Sequence, residues 1–164
     1  MNIPTREECI RILKHNSVPD NIIIAHSKKV CDVAVKVAGL LEKKHIKINK
    51  NLIIAGALLH DVRKLSPNDH VVEGYGLVNS LGFPEVAILI KKHGLANLDN
   101  DEFAPITWEE KVVFYADKRV TNDKVVSLDE RFEYIKQRYK SENIERELKF
   151  TKNIEKELLG NGKI

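Results

Sequence analysis

Four polar residues stand where the sequence pattern calls for burial: His26, the doublet His60-Asp61, and Asp117. His26 occupies a core step, since Ile23, His26, Val30 and Val33 are spaced three, four and three. Asp117 does the same, with Val113 four residues before it and Val120 three after. His60 and Asp61 close an apolar run within ALLHDVRKLSPNDH, residues 57–70. A buried unpaired charge is costly, so each group needs a partner or must shed its charge. A lone core histidine is ordinarily a hydrogen-bonded packing residue, and a lone buried aspartate a cap or half of an ion pair. Three helices converging with such groups is a different matter. Two imidazoles and two carboxylates form a mixed nitrogen and oxygen shell suited to a divalent transition metal. The ion's charge supplies the missing partner for both carboxylates.

The elements that must hold these groups read as helices nearly throughout, which predicts a single all-α domain of residues 1–164. Thr5 with Glu8 forms a capping box ahead of a short helix that ends before Ser17-Val18-Pro19. Asp20 caps a long helix to about Lys44, with Ile23, Val30, Val33, Val37 and Leu41 at three- and four-residue steps. A helix from about Lys50 to Leu59 is apolar on nearly every side and is expected in the middle of the fold. Ser66-Pro67 is expected to start the helix that holds His70 and stops near Leu81-Gly82. Pro84 starts another, ending at His93-Gly94 with the glycine past its C-terminus. Residues 95–105 are polar and acidic and are read as a loop near the site or a disordered flap. Thr107 with Glu110 opens a helix to about Val120, and Ser127 with Glu130 a helix through Tyr139. Residues 142–159 form a charge-rich helical extension, expected to pack loosely or to contact a second subunit as a homodimer.

Composition limits the function classes. The chain has 164 residues, 43% hydrophobic and 31% charged, with a net charge of only +3. Its basic clusters, Lys43-Lys44-His45 and Lys91-Lys92-His93, are not interleaved with aromatics, so they read as solvated helix ends and do not argue for nucleic acid. The longest apolar run, from Leu52 to Leu59, falls far short of the ~20 residues that span a bilayer. With Arg6, Glu7 and Glu8 interrupting the N-terminus and only Cys9 and Cys31 as thiols, a cytoplasmic location is expected. No G-x-S-x-G or Walker-type loop is present. His15 and His45 are expected at the surface.

The ordered set His26, His60-Asp61 and Asp117 resembles the HD-domain superfamily of metal-dependent phosphohydrolases, defined by a His, a His-Asp doublet and a distant Asp on helices. LLHDVRKL is similar to the His-Asp-Ile-Gly-Lys of the HDIG subgroup, with Val62 and Arg63 in place of Ile and Gly. DHVVEGYGLVNSLGFPEVAILIKKHG is similar to the part of that subgroup in which one His opens a helix and a second ends the next. FYADKRV and VSLDERF are similar to HD domains fused to molybdenum-cofactor nucleotidyltransferase-like domains. The resemblance covers about residues 20–135.

The resemblance implies one or two divalent ions, manganese, iron, nickel, cobalt or magnesium. His26, His60, Asp61 and Asp117 would hold the first, and His70 and His93 a second, bridged through Asp61. Two such ions can activate water and neutralise phosphoryl oxygens during in-line attack. The implied substrate is a small phosphorylated molecule, a nucleotide or a relative of one. His60, Asp61 and Lys64 are the implied catalytic residues, and Lys64, Arg63 and Lys118 the candidates for holding a substrate phosphate. Of Lys118 and Arg119, adjacent in sequence, at most one is expected to face the site. Arg131 is expected to serve packing as an ion-pair partner. Two other readings share the ligand set: a di-iron oxygenase of the same superfamily, and a nucleotide-sensing domain that keeps its metal without turnover.

Overall fold

The computed structural model describes residues 1–17 and 20–164. Most of its helices begin where a side chain satisfies the open amide groups of the first turn. The Glu8 amide donates to Thr5 Oγ1 at 3.2 Å, and the Thr5 amide to Glu8 Oε2 at 2.7 Å, at the start of α1 (Arg6–Ser17). Asp20 caps α2 (Asn21–Lys43), Asn49 caps α3 (Lys50–Leu59), and Asp69 caps α4 (His70–Ser80). Pro84 is the first residue of α5 (Pro84–Lys91). The boxes Thr107–Glu110 and Ser127–Glu130 are both complete and open α6 (Trp108–Lys118) and α7 (Leu128–Arg138). Between these two lies a hairpin, β1 (Val120–Thr121) against β2 (Lys124–Val125), and α8 (Ile144–Leu159) follows α7. The architecture is all-α, a helical bundle with, among the described residues, one minute two-stranded sheet.

The differences from expectation are local. Ser66 and Pro67 belong to the turns after the doublet, and α4 starts at His70 because the Asp69 carboxylate takes the Val71 and Val72 amides. α5 ends at Lys91, where the Lys92 amide bonds back to Ile88, so the turn that follows carries His93 and Gly94 outside the helix. α6 stops at Lys118 rather than Val120, because Val120 pairs with Val125 in the hairpin. At the end of α4, Gly82 takes a φ of 86°, a left-handed conformation that glycine adopts without penalty. α1 ends at Ser17; Val18 and Pro19, the rest of the expected break, lie outside the described residues.

α3 lies at the centre, in contact with α1, α2, α5 and α6. Its Leu52, Ile53, Ala55, Ala57, Leu58 and Leu59 are all buried. Gly56 permits the close approach of its neighbours: a Cβ there would stand 2.6 Å from Leu89 Cδ2 of α5 and 3.2 Å from Val113 Cγ2 of α6. The C-terminal extension does not pack loosely. α8 lies against α2, α6 and α7 with Thr151, Ile154, Leu158 and Leu159 buried, and Tyr115 donates to Glu155 at 2.6 Å. Residues 95–105 form a chain of turns fastened to α5 by the Lys91–Glu102 ion pair. Among the described residues no helix is long and apolar enough to cross a membrane.

Candidate metal centre

α3 ends one residue before His60, but the backbone keeps a helical conformation there (φ −55°, ψ −38°) and turns tightly through Lys64. That extra turn aims His60 and Asp61 at the same point. α2 brings His26 to it and α6 brings Asp117. His70 opens α4, and His93 follows the end of α5. All six side chains named from the sequence meet in one cluster, and His15 and His45 are exposed, as expected.

The six sort into two groups of three: His26, His60 and Asp117, and Asp61, His70 and His93. In each group the potential ligand atoms lie within 4.8 Å of one another. Asp61 stands between the two groups with one oxygen toward each. Its Oδ2 is 3.8 Å from His26 Nε2 and 3.5 Å from His60 Nε2. Its Oδ1 is 3.4 Å from His70 Nε2 and 3.6 Å from His93 Nε2. Asp117 Oδ1 completes the first group, 3.1 Å from His26 Nε2 and 3.4 Å from His60 Nε2.

Three of the rings are oriented from behind. Nδ1 of His26 donates to the Asn122 carbonyl at 2.8 Å, that of His60 to Ala57 at 2.8 Å, and that of His93 to Ile90 at 2.6 Å. A backbone carbonyl on Nδ1 directs the opposite nitrogen to a metal, the usual support of a ligating histidine. The residues fit a metal by a second observation: His60 Nε2 is buried and has no hydrogen-bond partner among the described residues, although it faces two carboxylates. An orphaned donor or acceptor in such a place is costly unless something else occupies the space.

Charge in the cluster is tightly interlocked. Burial opposes the His60 charge, but Asp61 and then Asp117 outweigh it and push the ring up to about 10. At His93 burial wins and lowers the ring to about 4. Burial also opposes the Asp61 charge, yet His60, with His70 and His93, holds that carboxyl well below the usual range. Asp117 is held low in the same way, against burial, chiefly by Lys118.

Of the three substrate-contact candidates, Lys64 lies in the cleft, with Nζ 3.4 Å from Asp61 Oδ1 and 3.5 Å from His70 Nε2. Lys118 is buried beside the centre, but its ammonium donates to Asp117 Oδ2 at 2.6 Å and to the His93 carbonyl at 2.7 Å. Those bonds make it a fixed counter-charge rather than a free cation. Arg63 is turned away, 3.6 Å from Glu73, and does not line the cleft. Arg119 faces Tyr115, Val126 and Glu155, so only Lys118 of that adjacent pair reaches the site. Sequence reasoning missed Asn122, whose carbonyl sets His26, and the cleft face of α7. Asn122-Asp123 between two short extended pairs is the signal for a two-residue hairpin that would have placed the first. The cleft above the centre has a volume of about 760 Å³.

The sequence pattern of the HD domain family matches residues 23–122, which include all six candidate ligands, and the chain belongs to that family. It is 28% identical over 155 residues to a tRNA (cytidine(56)-2'-O)-methyltransferase of Picrophilus torridus, covering 87% of this chain and 42% of that protein. It is 29% identical over 137 residues to an uncharacterised protein of Methanocaldococcus jannaschii, 76% of this chain and 80% of that one. A dihydroneopterin 2',3'-cyclic phosphate phosphodiesterase of the same organism is 30% identical over 115 residues, 58% of this chain and 45% of that protein. The chain thus spans less than half the length of the methyltransferase and of the phosphodiesterase. No solved structure gives a significant match.

Proposed function

We propose that the chain is a two-metal phosphohydrolase of the HDIG type, cleaving a phosphate ester of a nucleotide or a related small molecule. The observation that carries this reading is the divided carboxylate of Asp61, with one oxygen toward each histidine group. An aspartate so placed can serve two ions at once, which a purely structural salt bridge does not require. Divalent ions held by His26, His60, Asp117, His70, His93 and the shared Asp61 would supply Lewis acidity and an activated water.

The chain's own residues do the rest. The backbone carbonyls behind His26, His60 and His93 fix the rings before any ion arrives. Lys118 balances Asp117, so the cluster does not rely on solvent for that charge. Lys64 stands over the His70 side of the cleft, where its ammonium can meet a phosphoryl oxygen. The name of the phosphodiesterase relative supports a phosphate ester as the bond broken. The methyltransferase name belongs to a protein of which this chain spans 42%. The two thiols, Cys9 and Cys31, are buried and unbridged, which supports the cytoplasmic reading.

The test is a panel of phosphate mono- and diesters, cyclic nucleotides included, offered to protein loaded with Mn²⁺, Co²⁺ or Mg²⁺ and to chelated protein. Release of phosphate or of a ring-opened ester by the loaded protein alone is the expected result. Turnover supported by redox-inert Mg²⁺ separates this reading from a di-iron oxygenase. Loaded protein that cleaves nothing on the panel contradicts it.

A further inference from the structure

α7 turns toward the cleft a face that the metal centre does not use. Arg131, Tyr134, Ile135 and Arg138 follow one another at helical steps on one stripe, and all four line the cleft. Arg131 stands at the metal end, with Nη2 4.0 Å from Asp117 Oδ1 and a side chain only 16% exposed. Its Nε is buried and has no hydrogen-bond partner among the described residues. A guanidinium offers five donors in a planar fork that matches a phosphate. Asp117 cannot saturate that fork, because its oxygens already face His26, His60 and Lys118. An unmet fork beside the centre suits an anion arriving from the cleft.

Farther out the same stripe changes character. Arg138 donates to the Tyr134 hydroxyl at 2.9 Å. The guanidinium carbons of Arg131 and Arg138 lie 5.7 and 5.8 Å from the Tyr134 ring centroid, so both cations pack near that ring. Ile22, Leu65 and Tyr139 also line the cleft, and each is exposed despite its apolar body. A wholly ionic ligand gains nothing from such a rim, whereas a flat ring buries it.

Resting on the phosphohydrolase reading, we propose that α7 reads the substrate: Arg131 holds a phosphoryl oxygen beside the metal pair, and Tyr134 carries an aromatic ring attached to the phosphate ester. The site then favours aromatic phosphate esters over sugar phosphates. Lys64 keeps its place over the His70 side of the cleft, and Arg131 lies on the Asp117 side.

The test measures binding of ribose 5-phosphate and adenosine 5'-monophosphate to the full chain loaded with Mn²⁺, with metal content assayed for every variant. Wild type is expected to bind the adenosine compound about tenfold more tightly, a difference within reach of one stacked base. Arg131→Gln is expected to weaken both probes about tenfold at unchanged metal content. Arg131→Lys keeps the charge without the fork and falls between. Tyr134→Leu is expected to lose the preference for the adenosine compound. Arg131 variants that bind both probes like wild type, or that lose metal instead, overturn the assignment of Arg131. Equal binding of the two probes by wild type, or a preference that survives Tyr134→Leu, overturns that of Tyr134. Wild type that binds neither probe and cleaves no phosphate ester overturns the phosphohydrolase reading itself, and this inference with it.

Discussion

Asp61 is where the two halves of the centre meet, with Oδ2 toward His26 and His60 and Oδ1 toward His70 and His93. Asp61→Ala is therefore expected to lose both metals and the rise in melting temperature that metal confers on wild type. Melting curves with and without Mn²⁺ check this, and a variant still stabilised by the ion contradicts it. His70→Ala and His93→Ala are expected to keep the metal at the His26 group, to lose the other, and to fall at least about tenfold in turnover, ~1.4 kcal/mol of transition-state stabilisation. Metal analysis beside kinetics checks that pair; wild-type rates and metal content in both variants rule out the second position. The pH dependence follows from two rings. His60, pushed up to about 10 from an ordinary 6.5, contributes fully below 6.5 in the metal-free protein and loses that contribution as pH rises toward 10. His93, lowered to about 4, contributes above 6.5 as the neutral ring and loses that as pH falls. Melting temperature of the metal-free protein is thus expected to peak near pH 6.5. Metal must displace the His60 proton, so the metal-induced rise is expected to grow from about pH 6 to about pH 8. A rise independent of pH contradicts that exchange. His26, the doublet and Asp117 were legible in the sequence because polar residues at core steps violate the periodicity around them. The ion pair of Arg131 was anticipated as well, but the placements of Arg63 and Lys118 were not, because a long cationic side chain can reach in several directions and its neighbours decide which.

Helices and turns position those groups, and α3 is the element most sensitive to change. A methyl group at Gly56 would meet Leu89 Cδ2 at 2.6 Å, Leu89 Cβ at 3.1 Å and Val113 Cγ2 at 3.2 Å. Overpacking of this kind costs about 1–3 kcal/mol. Gly56→Ala is expected to lower the urea midpoint accordingly, and to weaken metal binding because α3 carries the doublet. A variant as stable as wild type contradicts the close packing of α3 on α5 and α6. Helix starts were largely readable, since Thr5-Glu8, Thr107-Glu110 and Ser127-Glu130 signal their caps within four residues. Ser66-Pro67 misled because Asp69, two residues beyond, is the better acceptor for the first amides of α4. The hairpin after α6 escaped notice because strands of two residues have no alternation to read. Asn122 at a φ of 55° closes it and offers its carbonyl to His26.

The whole molecule binds its C-terminal helix into the fold. Leu158 and Ile154 of α8 are buried with the central core, and Lys44 of the chain after α2 donates to the Leu158 carbonyl at 3.1 Å. Leu158→Ala is expected to cost about 2–5 kcal/mol in chemical denaturation. A loss near zero would restore the loosely packed extension that its charge-rich sequence suggested. That suggestion failed because one apolar stripe at three- and four-residue steps is enough to dock a helix whose other faces are charged. The all-α class, by contrast, was visible in the sequence, and so was the order of the candidate ligands along the chain. Their division into two groups around one carboxylate is a tertiary fact. It is also the central claim, and counting divalent ions per chain tests it most directly. Wild type dialysed with excess Mn²⁺ and freed of unbound ion is expected to hold two ions per chain, and Asp61→Ala none. Wild type that holds no ion, or a single ion that Asp61→Ala retains, contradicts the account.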